Sequence, residues 1–325
     1  MAVINMVQAI NAALDYKLEN DNDVLVFGED VGLEGGVFRV TENLQKKYGV
    51  ERVFDTPLAE AGIVGSAVGM AGAGLRPVPE IQFSGFVYPA FDQIISHVAR
   101  MRNRTRGKFT MPITIRMPYG GGIRALEHHS ESMEAIFGHI PGLKVVIPST
   151  PYDAKGLLIS AIEDPDPVIY MEPKRIYRAI KQEVPAERIA IPLGKARVLT
   201  EGTDITVVGY GAMIREIQKA AVLAKDNNIS IEVVDLRSIY PIDRDTVAAS
   251  VRKTGRLLSV TEGPRTYGVG AELIALATEE AFLHLEAPPT RLAGFDTIVP
   301  LPKGEDLYFY KHDRIFYEIK KLMDF

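Results

Sequence analysis

Short apolar runs recur along this chain, each bounded by Pro, Gly or Asp and separated by stretches with helical spacing. Val24–Phe27, Ile113–Arg116, Leu143–Ile147 and Val168–Met171 have the length and composition of buried parallel strands. Between them lies a Gly/Ala-rich helix within DTPLAEAGIVGSAVGMAGAG (55–74). A second helix is expected where Val87, Phe91, Ile94, Ile95, Val98 and Met101 recur at helical intervals. Pro151 suits the first position of another helix, with Thr150 as its N-cap. Residues 176–203 break the pattern, and alternation resumes with strands at Ile205–Val208, Ile231–Val234 and Leu257–Val260, each followed by a helix. This order predicts an α/β fold of two open, mostly parallel domains, residues 1–180 and 201–325, joined by a linker at 181–200.

At 325 residues, 46% hydrophobic and 24% charged, the chain has the composition of a globular protein with a large core. A net charge of -5 argues against a general nucleic-acid binder. With no cysteine there is no thiol nucleophile, disulfide or Cys-ligated metal. No stretch approaches the roughly 18 apolar residues of a membrane span. The N-terminal segment lacks the pattern of a secretory signal, so a cytoplasmic protein is expected.

One carboxylate stands out. Glu60 heads the small-residue run and is the last charge before Arg76. Each Gly in that helix costs roughly 1 kcal/mol relative to Ala, a cost met where a backbone or ligand comes close. Thr56 suits an N-cap and Pro57 a first turn, which sets Glu60 one place beyond the capping-box position. Glu60 is then either a first-turn acid favoured by the helix dipole or a carboxylate presented to a buried ligand. Gly65 and Gly69 form a GxxxG, which in a run too short to span a bilayer indicates close helix packing.

The loop MPYGGGIRALEHHSE (117–131) follows a strand and carries His128 and His129, well placed for proton transfer at neutral pH. Two loop histidines without a catalytic role remain the alternative. Gly209, Gly211 and Asp235 imitate a dinucleotide-binding βαβ unit, but Ile214 stands where the third glycine belongs. The basic run Arg100 to Lys108 lacks interleaved aromatics and suits a solvated helix end or an acidic protein partner.

Longer blocks carry a resemblance. GED (28–30), DTPLAEAG (55–62), PEIQFSGF (79–86), FDQI (91–94), EHHSE (127–131), PGLKVVIPSTPYDAKGLL (141–158), VVDLRSIYPID (233–243) and GVGAE (268–272) resemble the β subunits of 2-oxo acid dehydrogenase E1 components, from Met1 to Phe325. The likeness is nearest to members acting on pyruvate, with the branched-chain enzyme's β subunit a near second. It implies a pyrimidine-binding, transketolase-like domain followed by a transketolase C-terminal-like domain. It also implies an α2β2 enzyme whose thiamine diphosphate lies between subunits, with the diphosphate and Mg2+ held by α. The absence of any Gly-Asp-Gly from this chain agrees with that division.

By the same resemblance, Glu60 hydrogen-bonds the pyrimidine N1′ and favours its imino tautomer. Leu58 and Phe86 line the ring, Glu29 is a second acid nearby, and His129 rather than His128 serves acyl transfer to lipoyl groups. Carbonyls around Ile113, Ala161, Ile162, Asp164 and Asp166 are implied to hold K+. The E2 acyltransferase is implied to dock through its peripheral subunit-binding domain on the C-terminal domain. Rival readings are a stand-alone transketolase-like or NAD-dependent enzyme, opposed by the missing glycine motifs, and a non-catalytic assembly subunit.

Overall fold

The computed structural model describes residues 2–325. The first half contains β1 (Ala2–Asn5), α1 (Met6–Asn20), β2 (Val24–Gly28), α2 (Leu44–Tyr48), β3 (Val53–Asp55), α3 (Glu60–Gly72) and β4 (Arg76–Glu80). It continues with α4 (Met101–Arg104), β5 (Thr114–Tyr119), α5 (Glu134–Gly138), β6 (Lys144–Val146), α6 (Pro151–Glu163), β7 (Val168–Pro173) and β8 (Lys181–Val184). The second half adds β9 (Arg197–Thr200), β10 (Ile205–Gly209), α7 (Ala212–Lys225), β11 (Ile231–Asp235), β12 (Ser238–Tyr240) and α8 (Arg244–Thr254). It ends with β13 (Leu257–Pro264), α9 (Val269–Ala281), β14 (Thr290–Gly294), α10 (Glu305–Tyr308) and α11 (His312–Met323).

Two open α/β sheets result, as the alternation requires. The first runs β12-β6-β7-β5-β4-β2-β3 and the second β14-β13-β10-β11-β9. Within these two sheets, among the described residues, only β12 and β9, at the edges, are antiparallel to their neighbours. Every residue of β2, β5 and β7 is buried, because helices cover both faces. α1 and α6 pack together on one face, and α3 with the turns after Ser84 covers the other. The second face does not stop at a domain boundary: Tyr119, Met133 and Phe137 share one apolar cluster with Val208, Tyr210 and Leu236.

Within residues 181–200, β8 pairs with β1 and β9 joins the second sheet. Two local expectations are corrected. The stretch expected to be one helix around 87–101 is broken into 3-10 turns at Ser84–Phe86 and Tyr88–Ala90, a π-helix at Gln93–Val98, and α4. Pro89 withholds an N–H and restricts Tyr88, yet Val87, Ala90, Ile94 and Val98 still point inward. α3 starts at Glu60 itself, with Ala59 at the N-cap and no side-chain cap. Thr56 instead prolongs the sheet, its N–H donating to the Gly28 carbonyl at 3.0 Å.

At the strand ends beneath the first-domain loops, Arg116 is 1% exposed and lies between two acids. Its guanidinium meets Glu80 at 2.8 Å and Glu172 at 2.6 Å, and the Tyr177 hydroxyl donates to Glu172. Removing the cation leaves two buried carboxylates uncompensated. Arg116→Met is expected to cost about 3–5 kcal/mol in urea unfolding, whereas replacing all three charges by apolar side chains restores most of it.

Candidate active site

In an open parallel sheet, ligands gather beyond the carboxyl ends of the strands where the strand order reverses. β2 and β4 are adjacent here although β3 lies between them in sequence, and their following loops open onto that crevice. Glu29 follows β2, Glu60 follows β3, Phe83 and Phe86 follow β4, and His129 lies on the loop after β5. The residues singled out in sequence therefore come from four successive loops on one side of the sheet.

Glu60 occupies the first turn of α3, where backbone N–H groups lack intrahelical partners. It is half-buried rather than enclosed, because Ala61, Gly62, Ser66 and Gly69 form an open face beside it. Nearby, the Thr56 hydroxyl oxygen is buried without a hydrogen-bond partner. The Glu29 carboxyl is pushed above its ordinary value by burial, then by the charges of Asp30 and Glu60. Leu58, just before the helix, is 71% exposed. Of the GxxxG pair, Gly65 faces the Gln93 side chain, while a Cβ at Gly69 would meet nothing within 4 Å. Packing within the chain thus accounts for Gly65 only.

His129 packs between two rings, 4.5 Å from Phe83 and 5.0 Å from Phe86 between centroids. Its Nδ1 lies 2.9 Å from the Glu127 carbonyl, which assigns the proton to Nδ1 and leaves Nε2 as an acceptor. The Phe86 and His129 rings meet nearly at right angles, with 84° between their planes. His128 is exposed and turned toward Tyr88, 6.1 Å between ring centroids.

The five residues of the implied K+ site do come to one corner, where α6 ends and β5 and β7 begin. Their acidic side chains are already engaged: Lys144 contacts both Asp164 oxygens at 2.7 Å, and Arg102 pairs with Asp166. The Ile113, Ala161 and Ile162 carbonyls accept bonds from Val168, Asp164 and Arg76. Each of these carbonyls keeps one lone pair beyond the bond it accepts. Among the described residues no group of three or more His, Cys, Asp or Glu side chains could hold a metal ion.

The dinucleotide-like glycines answer to packing. A Cβ on Gly209 would lie 2.5 Å from Ile217, and one on Gly211 would run into the Tyr119 hydroxyl of the first domain. Asp235 is fully buried behind them.

Sequence reasoning missed the acids at the domain junction. Glu134 is 2% exposed and accepts the Tyr210 hydroxyl at 2.8 Å, while its second oxygen has no partner. It lines a cavity of about 860 Å³ between the domains, with Phe91, Ile136, Ile239 and Tyr267. Glu262 and Glu305, from the second domain, bond the Gly-rich loop. No spacing links these acids to their partners.

Two-domain transketolase-like proteins are the class that this fold defines. Residues 2–180 match the transketolase pyrimidine binding domain and residues 194–315 the transketolase C-terminal domain. The group depends on thiamine diphosphate. A solved split-gene transketolase, an inactive β4 tetramer, shares the fold with a TM-score of 0.81 over 99% of each chain at 22% identity. Sequence likeness reaches further. The pyruvate dehydrogenase E1 component subunit beta of Acholeplasma laidlawii is 59% identical over 99% of this chain and 98% of its own. Those of Staphylococcus aureus (strain Mu50; 53%, all of both chains) and Mycoplasma pneumoniae (50%, 98% of each) are similar too. The chain belongs to the family of pyruvate dehydrogenase E1 component β subunits. No helix among the described residues is long and apolar enough to cross a membrane.

Burial pushes the Glu134 carboxyl from 4.5 up to about 7, although the Tyr210 hydroxyl favours its charge. The folded protein then binds a proton that the unfolded chain releases, so stability falls as pH rises from 4.5 to about 7. Glu134→Gln is expected to flatten that part of the pH profile of the urea midpoint. A slope identical to that of the wild type would remove Glu134 as a source of it.

Proposed function

We propose that this chain is the β half of an α2β2 E1 component that decarboxylates pyruvate and passes the acetyl group to the lipoyl group of an E2 acyltransferase in the cytoplasm. The observation that carries this reading is identity of 50–59% with pyruvate dehydrogenase β subunits along essentially the whole chain. That Glu29, Glu60, Phe86 and His129 all follow the carboxyl ends of neighbouring strands supports it.

When bound, thiamine diphosphate supplies the electron sink for loss of CO2 from a 2-oxo acid. The residues here fit its pyrimidine half. Glu60 holds a proton at the ring nitrogen N1′, from a helix start with no cation in the following turns. Phe86 and Leu58 offer apolar surface to the ring, and Glu29 adds a second carboxyl of raised proton affinity. Nε2 of His129, once protonated, can pass that proton to the sulfur freed when the incoming lipoyl disulfide opens and its other sulfur takes the acetyl group. The diphosphate and Mg2+ are assigned to the α subunit, and K+ to the main-chain corner at Ile113 and Ala161–Asp166. The E2 subunit-binding domain is assigned to the C-terminal domain, where Phe282 and Leu283 are exposed.

In the reconstituted tetramer, Glu60→Gln is expected to lower decarboxylation by roughly 100-fold or more with the assembly intact. Unaltered decarboxylation would favour a scaffolding subunit. Pyruvate should exceed 2-oxoisovalerate in kcat/KM; the reverse order would make this a branched-chain enzyme. His129→Ala should lose more in lipoyl acetylation than in decarboxylation, and equal losses would end its special role.

A further inference from the structure

The loop carrying His129 is held from the other domain. The Gly121 N–H donates to Glu262 Oε1 at 2.6 Å. The N–H groups of Gly122 and Arg124 donate to the two oxygens of Glu305, each at 2.6 Å. The Arg124 guanidinium adds a pair with Asp306 at 2.5 Å. At the base of the loop, the Gly120 N–H donates to the Glu131 carbonyl at 2.8 Å, closing an excursion that carries His129 on its returning arm.

The three consecutive glycines make room for this. A Cβ at Gly120 would meet the Glu262 carboxylate at 2.5 Å, one at Gly121 the Phe309 ring, and one at Gly122 the Arg175 side chain at 2.6 Å. Gly120 and Gly122 also have φ of +75° and +89°, which favour glycine. From the first domain, Lys174 donates to the Gly120 carbonyl and lies 5.9 Å from the centroid of Phe83, the ring that packs on His129.

We infer that Glu262 and Glu305 are positioning residues: the C-terminal domain sets where the His129 imidazole stands. Carboxylates accepting backbone N–H groups make charge-assisted bonds, among the stronger contacts a loop can have. They bind three N–H groups in a four-residue span, so the loop keeps one path between its strand and His129. This gives the second domain a part in acyl transfer, and it rests on the role proposed for His129.

The test uses the reconstituted α2β2 enzyme with Glu305→Ala and Glu305→Gln; Glu262→Gln is the second variant should Glu305→Ala fail to assemble. Amide hydrogen exchange at Gly122 and Arg124 should quicken by about tenfold or more in Glu305→Ala. Acetylation of an isolated lipoyl domain should fall about tenfold in kcat/KM, and decarboxylation followed with an artificial electron acceptor less than about threefold. Glu305→Gln, which keeps one acceptor oxygen, should fall between Glu305→Ala and the wild type. Unchanged exchange overturns the clamp. Quickened exchange with both reactions falling equally, or neither falling, overturns positioning. His129→Ala measured alongside separates the causes: if its own two losses are equal, the role of His129 fails and the inference with it. A selective His129→Ala defect beside a uniform Glu305→Ala defect overturns the positioning role alone.

Discussion

The first sheet depends on a narrow seam. β4 and β5 pair at a single position, Glu80 opposite Arg116, with one further bond from the Ile81 N–H to the Arg116 carbonyl. On one side of that seam lie β2 and β3, whose loops carry Glu29 and Glu60; on the other lie β5, β7, β6 and β12. So short a ladder contributes little alone. Arg116 supplements it by reaching Glu80 on β4 and Glu172 on β7, across three strands. The buried charges therefore tie the half of the site that carries the carboxylates to the half that carries the imidazole. Burial raises the proton affinity of Glu80 against the pull of Arg116, and the Tyr177 hydroxyl donates to one oxygen of Glu172.

The two domains are less separable than their sequences suggest. β12, from the second half of the chain, forms the edge of the first sheet, and one apolar cluster runs through both. Arg237 crosses the boundary to Asp153 at 2.7 Å. Gly211 lies against Tyr119, and Glu262 and Glu305 against the loop glycines. A C-terminal domain joined in this way behaves as a wall of the first domain's loop region, beyond any part it has in assembly.

The alternation of strands and helices was legible because buried parallel strands are apolar on both faces, a pattern visible from composition alone. Val24–Gly28 and Ile205–Gly209 were placed to within a residue. Thr150 and Pro151 cap and open α6 as their chemistry requires, with the Thr150 hydroxyl accepting the Asp153 N–H. Thr56 and Pro57 offered the same local signal, yet α3 starts three residues later, because pairing with Gly28 holds Thr56 in the sheet. Tertiary pairing outweighed a cap worth about 1 kcal/mol. The glycines at 120–122 were legible as a flexible loop but not as room for Glu262, Phe309 and Arg175, since those contacts reach across as many as about 190 residues. Glu134 and Glu262 gave no signal at all: a buried acid and a surface acid look alike in sequence.

The half-exposed state of Glu60 follows from the same limits. A carboxylate that is to hold a proton at a ring nitrogen gains strength when water is excluded from both sides. This chain supplies one side, the sheet and α3, and leaves Ala61, Gly62, Ser66 and Gly69 as a flat face of small side chains on the other. Burial, Asp30 and Glu60 already act together to raise the proton affinity of Glu29, and any surface closing over this face adds burial to each carboxyl. Small residues suit that closure, because they let a facing backbone approach and lose almost no side-chain entropy when covered. A Cβ at Gly69 would meet nothing within its own chain, whereas one at Gly121 would run into the Phe309 ring.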